Sequence, residues 1–273
     1  MKFFLIAGEP SGDVIGEKLI KALKAKHPEA TFAGAGGPLM EGAGLEVVLP
    51  MRELTVMGIW EVMMRIPHLW RLMMGLLEEI ETRQPDFVIT VDFPDFNFIL
   101  GHKLKRRGAF KGHLVHYVAP TVWAWRPGRA KKIAQYLDGL ICLLPFEPPY
   151  FQKHKLKSIF IGHPVTQENP LAGKGKRFRE ERQIPDNARI IGLFFGSREE
   201  ELEKLHRPIT EAAIYLHERF PDLVVVMPSL PQFELNLNLL TQDLTCPKYL
   251  VLSNDQKKWD AFASMEAAIA VSG

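Results

Sequence analysis

The sequence predicts an α/β protein of two Rossmann-like lobes, the second left incomplete at its C-terminal end. Three observations predict it. Strand-length apolar runs alternate with helical periods from residue 2 onward, the pattern of a mostly parallel sheet covered on both faces. A polar segment at residues 167–176 interrupts that alternation, which then starts afresh. The length of 273 residues suits two domains of ordinary size, set at residues 1–164 and 165–273.

Each element follows from local pattern. Residues 2–7 read as a buried strand closed by the turn Gly8-Glu9-Pro10-Ser11-Gly12, and a helix over about residues 13–26 carries Ile15, Leu19, Ile20 and Leu23 on one face. Residues 31–35 form a second strand before Gly36-Gly37-Pro38, and residues 86–91, 112–118 and 139–144 are three more, separated by helical periods. After the interruption come strands at 189–195, 223–227, 249–252 and 267–271 and a helix at 200–219. A βαβ sheet needs a covering helix after such a last strand, so an exposed apolar face or edge is expected there. Ligands in these sheets bind beyond the carboxyl ends of strands, which points to the loops starting at Gly8, Asp92 and Ala119.

Composition narrows the class. Hydrophobic content of 47% with 24% charge is globular, and neither Cys142 nor Cys246 sits in a metal-ligand or CxxC pattern, as in a reducing cytoplasm. No signal peptide precedes Gly8, and no apolar run reaches the 18 or so residues of a spanning helix. The net charge of +2 is uninformative, but its distribution is not: residues 96–137 hold no acid while Lys103, Lys105, Arg106, Arg107, Lys111, Arg126, Arg129, Lys131 and Lys132 fall there. Such a block is either a solvated helix face or a field for phosphates and anionic headgroups.

Five segments are candidates for chemistry. Gly8-Glu9-Pro10-Ser11-Gly12-Asp13 joins strand to helix, either as an anion-receptive turn or as a tight turn capped by Ser11 or Asp13. Asp92-Phe93-Pro94-Asp95-Phe96-Asn97 sets two carboxylates at a strand tip; Asp95 or Asn97 suits a helix cap, and Asp92 suits a general base. Trp123, Trp125 and Arg126 either plug the lobe edge or line a pocket for a sugar or acyl chain. Gly196-Ser197-Arg198 opens a helix, its arginine free to clamp a diphosphate or to pair with the glutamates that follow. Residues 57–74 mix Trp60, Met63, Ile66 and Trp70 with basic residues, a face suited to core packing or to a membrane interface. No dinucleotide fingerprint is present, since Leu39 stands at the third glycine position after Gly34 and Gly36.

These segments, in this order, resemble lipid-A-disaccharide synthase, a bacterial family of inverting glycosyltransferases with two Rossmann lobes (GT-B type). The resemblance is carried by AGEPSGD (7–13), GAGGPLM (34–40), VMGIWEV (56–62), VDFPDFN (91–97), HYVAPTVWAWR (116–126), LLPFE (143–147), FIGHP (160–164) and GSR (196–198). It implies transfer of diacylglucosamine from its UDP donor to 2,3-diacylglucosamine 1-phosphate, giving lipid A disaccharide 1-phosphate and UDP, a step of lipopolysaccharide assembly. Asp92 then becomes the base on the acceptor's 6-hydroxyl and Arg198 steadies the departing diphosphate. Glu9, Ser11, Trp123, Trp125, Arg126, Gly196 and Ser197 become substrate-binding residues, and Trp60, Met63, Ile66 and Trp70 membrane contacts. Neither metal nor cofactor is implied, and no DxD motif is present. The expected location is the cytoplasmic face of a Gram-negative inner membrane, peripheral to its anionic surface, with a possible homodimer in full-length form and no nucleic-acid partner. Asp92 and Arg198 are expected to face one cleft. The chain departs from the family at Phe195, where a proline is usual, and in stopping before the helix that carries an acid for the donor's ribose. The 273-residue chain is therefore expected to bind without turning over. Two rivals remain: a UDP-sugar epimerase or hydrolase of the same fold, and a non-catalytic lipid- or nucleotide-binding remnant.

Overall fold

The computed structural model describes residues 1–54, 59–167, 169–197, 199–253 and 257–271; the side chains of residues 59–65, 167, 200 and 232 lie outside that description. The chain divides into two compact units, Met1–Gln167 and Glu168–Gly273.

In the first unit β1 (Lys2–Ala7) leads to α1 (Pro10–Lys26), β2 (Thr31–Gly36), α2 (Pro38–Gly42) and β3 (Glu46–Pro50). The long α3 (Ile59–Arg83) then precedes β4 (Phe87–Val91), α4 (Pro94–Arg107), β5 (His113–Tyr117), α5 (Gly128–Ile133), β6 (Gly139–Cys142), α6 (Pro148–Gln152) and β7 (Ser158–Phe160). The seven strands are all parallel in the order β3-β2-β1-β4-β5-β6-β7. Side chains alternate across the pleat. Phe4 and Ile6 face a core with Leu76, Leu77 and Ile80 of α3 and Leu100 and Leu104 of α4. Phe3, Leu5 and Ala7 face the opposite core, with Ile15 and Ile20 of α1 and Met40 of α2. Phe3 stacks on both in-register neighbours, Phe32 at 5.2 Å and Phe87 at 5.5 Å, tying three strands at their amino ends.

The second unit contains α7 (Gly175–Glu181), β8 (Arg189–Phe194), α8 (Glu199–Arg219), β9 (Leu223–Ser229), α9 (Glu234–Leu240), β10 (Lys248–Leu252), α10 (Lys258–Ser264) and β11 (Ala267–Ala270). Its parallel strands run β10-β9-β8-β11. Leu193, Val225 and Met227 pack with Leu202, Ile209 and Ala213 of α8 on one face, and Ile190, Val224 and Val226 with Phe178 and Ala261 on the other. The buried Asp260 of α10 accepts the Lys174 N–H at 2.7 Å and pairs with Arg177, joining α10 to α7. In β11, Ala267, Ala268 and Ala270 are exposed.

The alternation expected from sequence is thus two parallel sheets. Beyond it lie β3 and β7, short edge strands whose side chains are mostly exposed or half-buried and so leave little apolar signature. Among the described residues no helix is long and apolar enough to cross a membrane.

Candidate active site

Strand order in the first unit reverses between β1 and β4, the position where a parallel sheet leaves a crevice at its carboxyl edge. Two loops meet there. Asp92 (φ 48°) and Phe93 (φ 49°), at the tip of β4, are both left-handed, at a cost of about 1–3 kcal/mol for each such residue. Three contacts hold them. The Asp92 N–H donates to the Tyr117 carbonyl at 2.8 Å, and buried Asn97 donates through Nδ2 to the Asp92 carbonyl at 2.7 Å. The Phe93 ring covers Gly8 so closely that a Cβ there would stand 2.3 Å from it, which is why this loop carries glycine. The half-buried Asp92 carboxylate then meets the first loop, with Ser11 Oγ 3.5 Å from Oδ2, the outer limit of a hydrogen bond. Among the described residues Asp92 forms no ion pair.

The first loop is built differently from either capping alternative. Helix α1 starts at Pro10, with half-buried Glu9 at its N-cap accepting the Asp13 N–H on its carbonyl at 3.0 Å. Neither Ser11 nor Asp13 caps it. Asp13 is buried and its carboxylate accepts N–H groups of Gly37 at 2.9 Å, Leu39 at 3.0 Å and Met40 at 3.0 Å. It therefore satisfies the free donors at the start of α2 and binds that turn to α1. The AGEPSGD and GAGGPLM segments are one structural piece, joined by an acid that the sequence offered only as one of two possible caps.

The loop after β5 begins with Val118 in a left-handed conformation (φ 82°) and buries Val122. Trp123 and Trp125 are 43% and 63% exposed, so they do not plug the edge of the lobe. Trp123 stands edge-on to Phe146 at 5.3 Å, and the Arg126 guanidinium lies 5.0 Å from the Trp125 ring. On β5, His116 is fully buried, 2.7 Å from Thr90 Oγ1 through Nδ1; burial pushes its pKa down to about 3, so it is a neutral structural group. Three of the nine cations of the basic block are paired with acids outside it: Lys105 with Asp138 at 2.7 Å, Arg107 with Glu81 at 3.0 Å and Arg129 with Asp95 at 2.9 Å.

The second unit reverses strand order between β8 and β11, and a pocket of about 580 Å3 opens at the carboxyl ends of its strands. Gly196 and Ser197 line it, together with Ser229, Ser253, Lys258 and Trp259, which sequence reasoning missed. Small polar residues at the end of one apolar strand and just past another were the available signal. Gly196 has φ 102°, and the Ser197 N–H donates to Glu201 Oε2 at 2.8 Å. Phe195 is buried among Leu202 and Phe233, anchoring the turn from below. Arg198 lies outside the described residues.

In α3, Met73, Leu76, Leu77 and Ile80 are core, whereas Ile66 and Trp70 are 55% and 47% exposed. The side chains of Trp60 and Met63 lie outside the described residues.

The family model for lipid-A-disaccharide synthetase matches residues 3–273. A lipid-A-disaccharide synthase of Rhodospirillum centenum is 44% identical over 99% of this chain and 67% of its own length. One of Paramagnetospirillum magneticum is 41% identical over 100% of this chain and 70% of its own. The chain thus spans about two thirds of the length of these relatives. Among solved structures, UDP-GlcNAc 2-epimerase from Neisseria meningitidis bound to UDP-GlcNAc superimposes with a TM-score of 0.63 at 13% identity, over 100% of this chain and 78% of that one, a likeness of fold alone.

Proposed function

The chain belongs to the lipid-A-disaccharide synthase family, hexosyltransferases of lipid A biosynthesis, and from that premise we propose how its own residues take part. The donor is UDP-diacylglucosamine and the acceptor 2,3-diacylglucosamine 1-phosphate. Asp92 accepts the proton of the acceptor's 6-hydroxyl while that oxygen bonds to the donor's anomeric carbon. The bond from that carbon to the diphosphate oxygen breaks, the configuration inverts, and UDP departs with the electron pair. The observation that carries this reading is the pinned, left-handed turn at Asp92 and Phe93, which holds at a strand-order reversal a carboxylate without an ion pair among the described residues. Ser11 orients that carboxylate and Glu9 shapes the loop beside it. Trp123, Trp125 and Arg126, exposed together, offer apolar rings and a cation to an acylated, phosphorylated sugar.

The UDP moiety belongs in the pocket of the second unit, where Gly196 and Ser197 approach the diphosphate and Arg198 balances its charge. The Neisseria meningitidis epimerase, of related fold, is bound to UDP-GlcNAc, in keeping with a nucleotide-sugar ligand for this fold. Ile66 and Trp70, with Trp60 and Met63 on the same helix, contact the anionic inner membrane from its cytoplasmic side, where both lipids reside. A homodimer of the full-length protein completes the reading.

The test is UDP release by a polypeptide of the relatives' full length. Release that requires both lipids is expected. Release from the donor without acceptor would mark a hydrolase, and an epimerised nucleotide sugar without UDP an epimerase.

A further inference from the structure

A second cleft, of about 330 Å3, lies at the far end of the first unit's helical layer, lined by Trp70, Met74, Lys103, Arg106 and Arg107. Helix α4 starts just after Asp92 and runs 14 residues, about 21 Å at 1.5 Å per residue, so its last turn is remote from the strand tips. Trp70 and Met74 stand one turn apart on α3, and Lys103, Arg106 and Arg107 share one face of α4. Lys103 Nζ lies 4.0 Å from the centroid of the Trp70 ring. Arg107 pairs with Glu81 and reaches Met74 Sδ at 4.0 Å. Among the described residues Lys103 and Arg106 form no ion pair, which leaves three cations against one carboxylate.

Cations in a helix's last turn answer the helix dipole, and that accounts for Arg106 and Arg107 as far as their sequence positions go. It does not account for Lys103, one turn earlier, nor for an exposed tryptophan beneath it. Aromatic rings and basic side chains together are the composition of a membrane–water boundary, where the ring sits at headgroup level and the cations meet phosphate. Ile66, one turn before Trp70 on the same face of α3, is exposed and apolar, as the acyl side of such a boundary requires.

We infer that this cleft seats the phosphate of an anionic membrane lipid, with Lys103 and Arg106 as its principal ligands and Trp70 as its floor. The inference refines the membrane contact proposed above, turning a general apolar face into a site for one headgroup remote from the acceptor.

Co-sedimentation tests it, using vesicles of phosphatidylcholine alone and of phosphatidylcholine mixed with phosphatidylglycerol. Each cation removed from a membrane-facing site weakens partitioning about 5-fold, so Lys103→Ala/Arg106→Ala is expected to lose about 25-fold on the mixed vesicles. Lys131→Ala/Lys132→Ala, with the same loss of charge on exposed positions of α5, is expected to lose clearly less. Equal losses would overturn the site in favour of a diffuse positive field. If the Lys103/Arg106 variant fails to fold, quenching of Trp70 by brominated phosphatidylglycerol, read as the difference from Trp70→Phe, decides instead; absence of quenching overturns the site. Inorganic phosphate titrated without vesicles supplies the second arm. A saturable change in the Trp70 signal would show a site for soluble phosphate and overturn the assignment to lipid. Loss of binding in Ile66→Ser, with normal binding in Lys103→Ala/Arg106→Ala, would keep the membrane face and remove the cleft. Normal binding in both variants would remove both.

Discussion

In the first unit the tips of β1 and β4 are filled by protein: the Phe93 ring lies where a side chain on Gly8 would stand, and Asn97 and Tyr117 hold the backbone of Asp92 from two sides. In the second unit the tips of β8, β9 and β10 surround about 580 Å3 of open pocket, and the Gly196-Ser197 turn rests on buried Phe195 and donates the Ser197 N–H to Glu201. The same reversal of strand order is therefore furnished twice, once as a rigid mount and once as a receptacle. The difference fits the roles proposed for each. A base must be aimed to within a fraction of an ångström, because misplacement by about 1 Å can cost 10²-fold in rate. A nucleotide must be admitted and released, which requires volume.

The substitution that should most sharply break this comparison is Asp92→Asn, an isosteric change. In a polypeptide of full family length it is expected to retain the urea-unfolding midpoint and to lose roughly 10²–10⁴-fold in acceptor-dependent UDP release. Near-normal turnover would leave the rigid mount without a purpose. Next comes a pair of glycine substitutions. Gly8→Ala forces a methyl group into the Phe93 ring and is expected to destabilise the protein by about 1–3 kcal/mol while lowering turnover, because the ring cannot move without the Asp92 turn. Gly196→Ala meets the Glu201 side chain at its Cβ as well as at its carboxylate, and its positive φ costs about 1–2 kcal/mol more. Its expected signature is weaker UDP binding by calorimetry with little change in apparent acceptor affinity. If both substitutions behave alike, the distinction between mount and receptacle fails.

The smallest expected effect concerns His116, buried behind the Asp92 turn. Its pKa is lowered to about 3 by burial, against an ordinary value near 6.5. The unfolded chain therefore binds a proton that the folded one refuses, and stability falls as pH drops through that window. Between pH 7 and 5 the loss attributable to this residue is about 2 kcal/mol. Urea unfolding at the two pH values should show that much less pH dependence in His116→Asn than in the unsubstituted protein. An unchanged dependence would mean that the imidazole is protonated in place.

Several features were legible from residue order because they depend on neighbours in the chain. The strand β1, the turn after it and the buried face of α1 follow from alternation and a 3.6-residue period, and Ile15 and Ile20 are buried as that period requires. Asp92 was conspicuous because an acid just past an apolar run must sit at a strand tip. Asp13 was offered, beside Ser11, only as a possible cap, because the donors it satisfies, at Gly37, Leu39 and Met40, lie more than twenty residues away. The apolar stretch of α3 was ambiguous for a related reason. A helix with apolar residues on most sides has no face of its own choosing, and only packing against the sheet buried Met73, Leu76, Leu77 and Ile80 while leaving Ile66 and Trp70 outside.

By itself, then, the sequence determined the class of fold, the loops at the strand tips and the family, since periodicity, turn residues and contiguous motifs are written along the chain. Tertiary structure alone decided the left-handed mount under Asp92, the neutral burial of His116, the outward tryptophans and the pairing of three basic residues with distant acids. It also decided the meeting of Trp70 with Lys103. Each of these is a contact between segments whose separation in sequence carries no signal, and whose energy exists only once the sheet has brought them together.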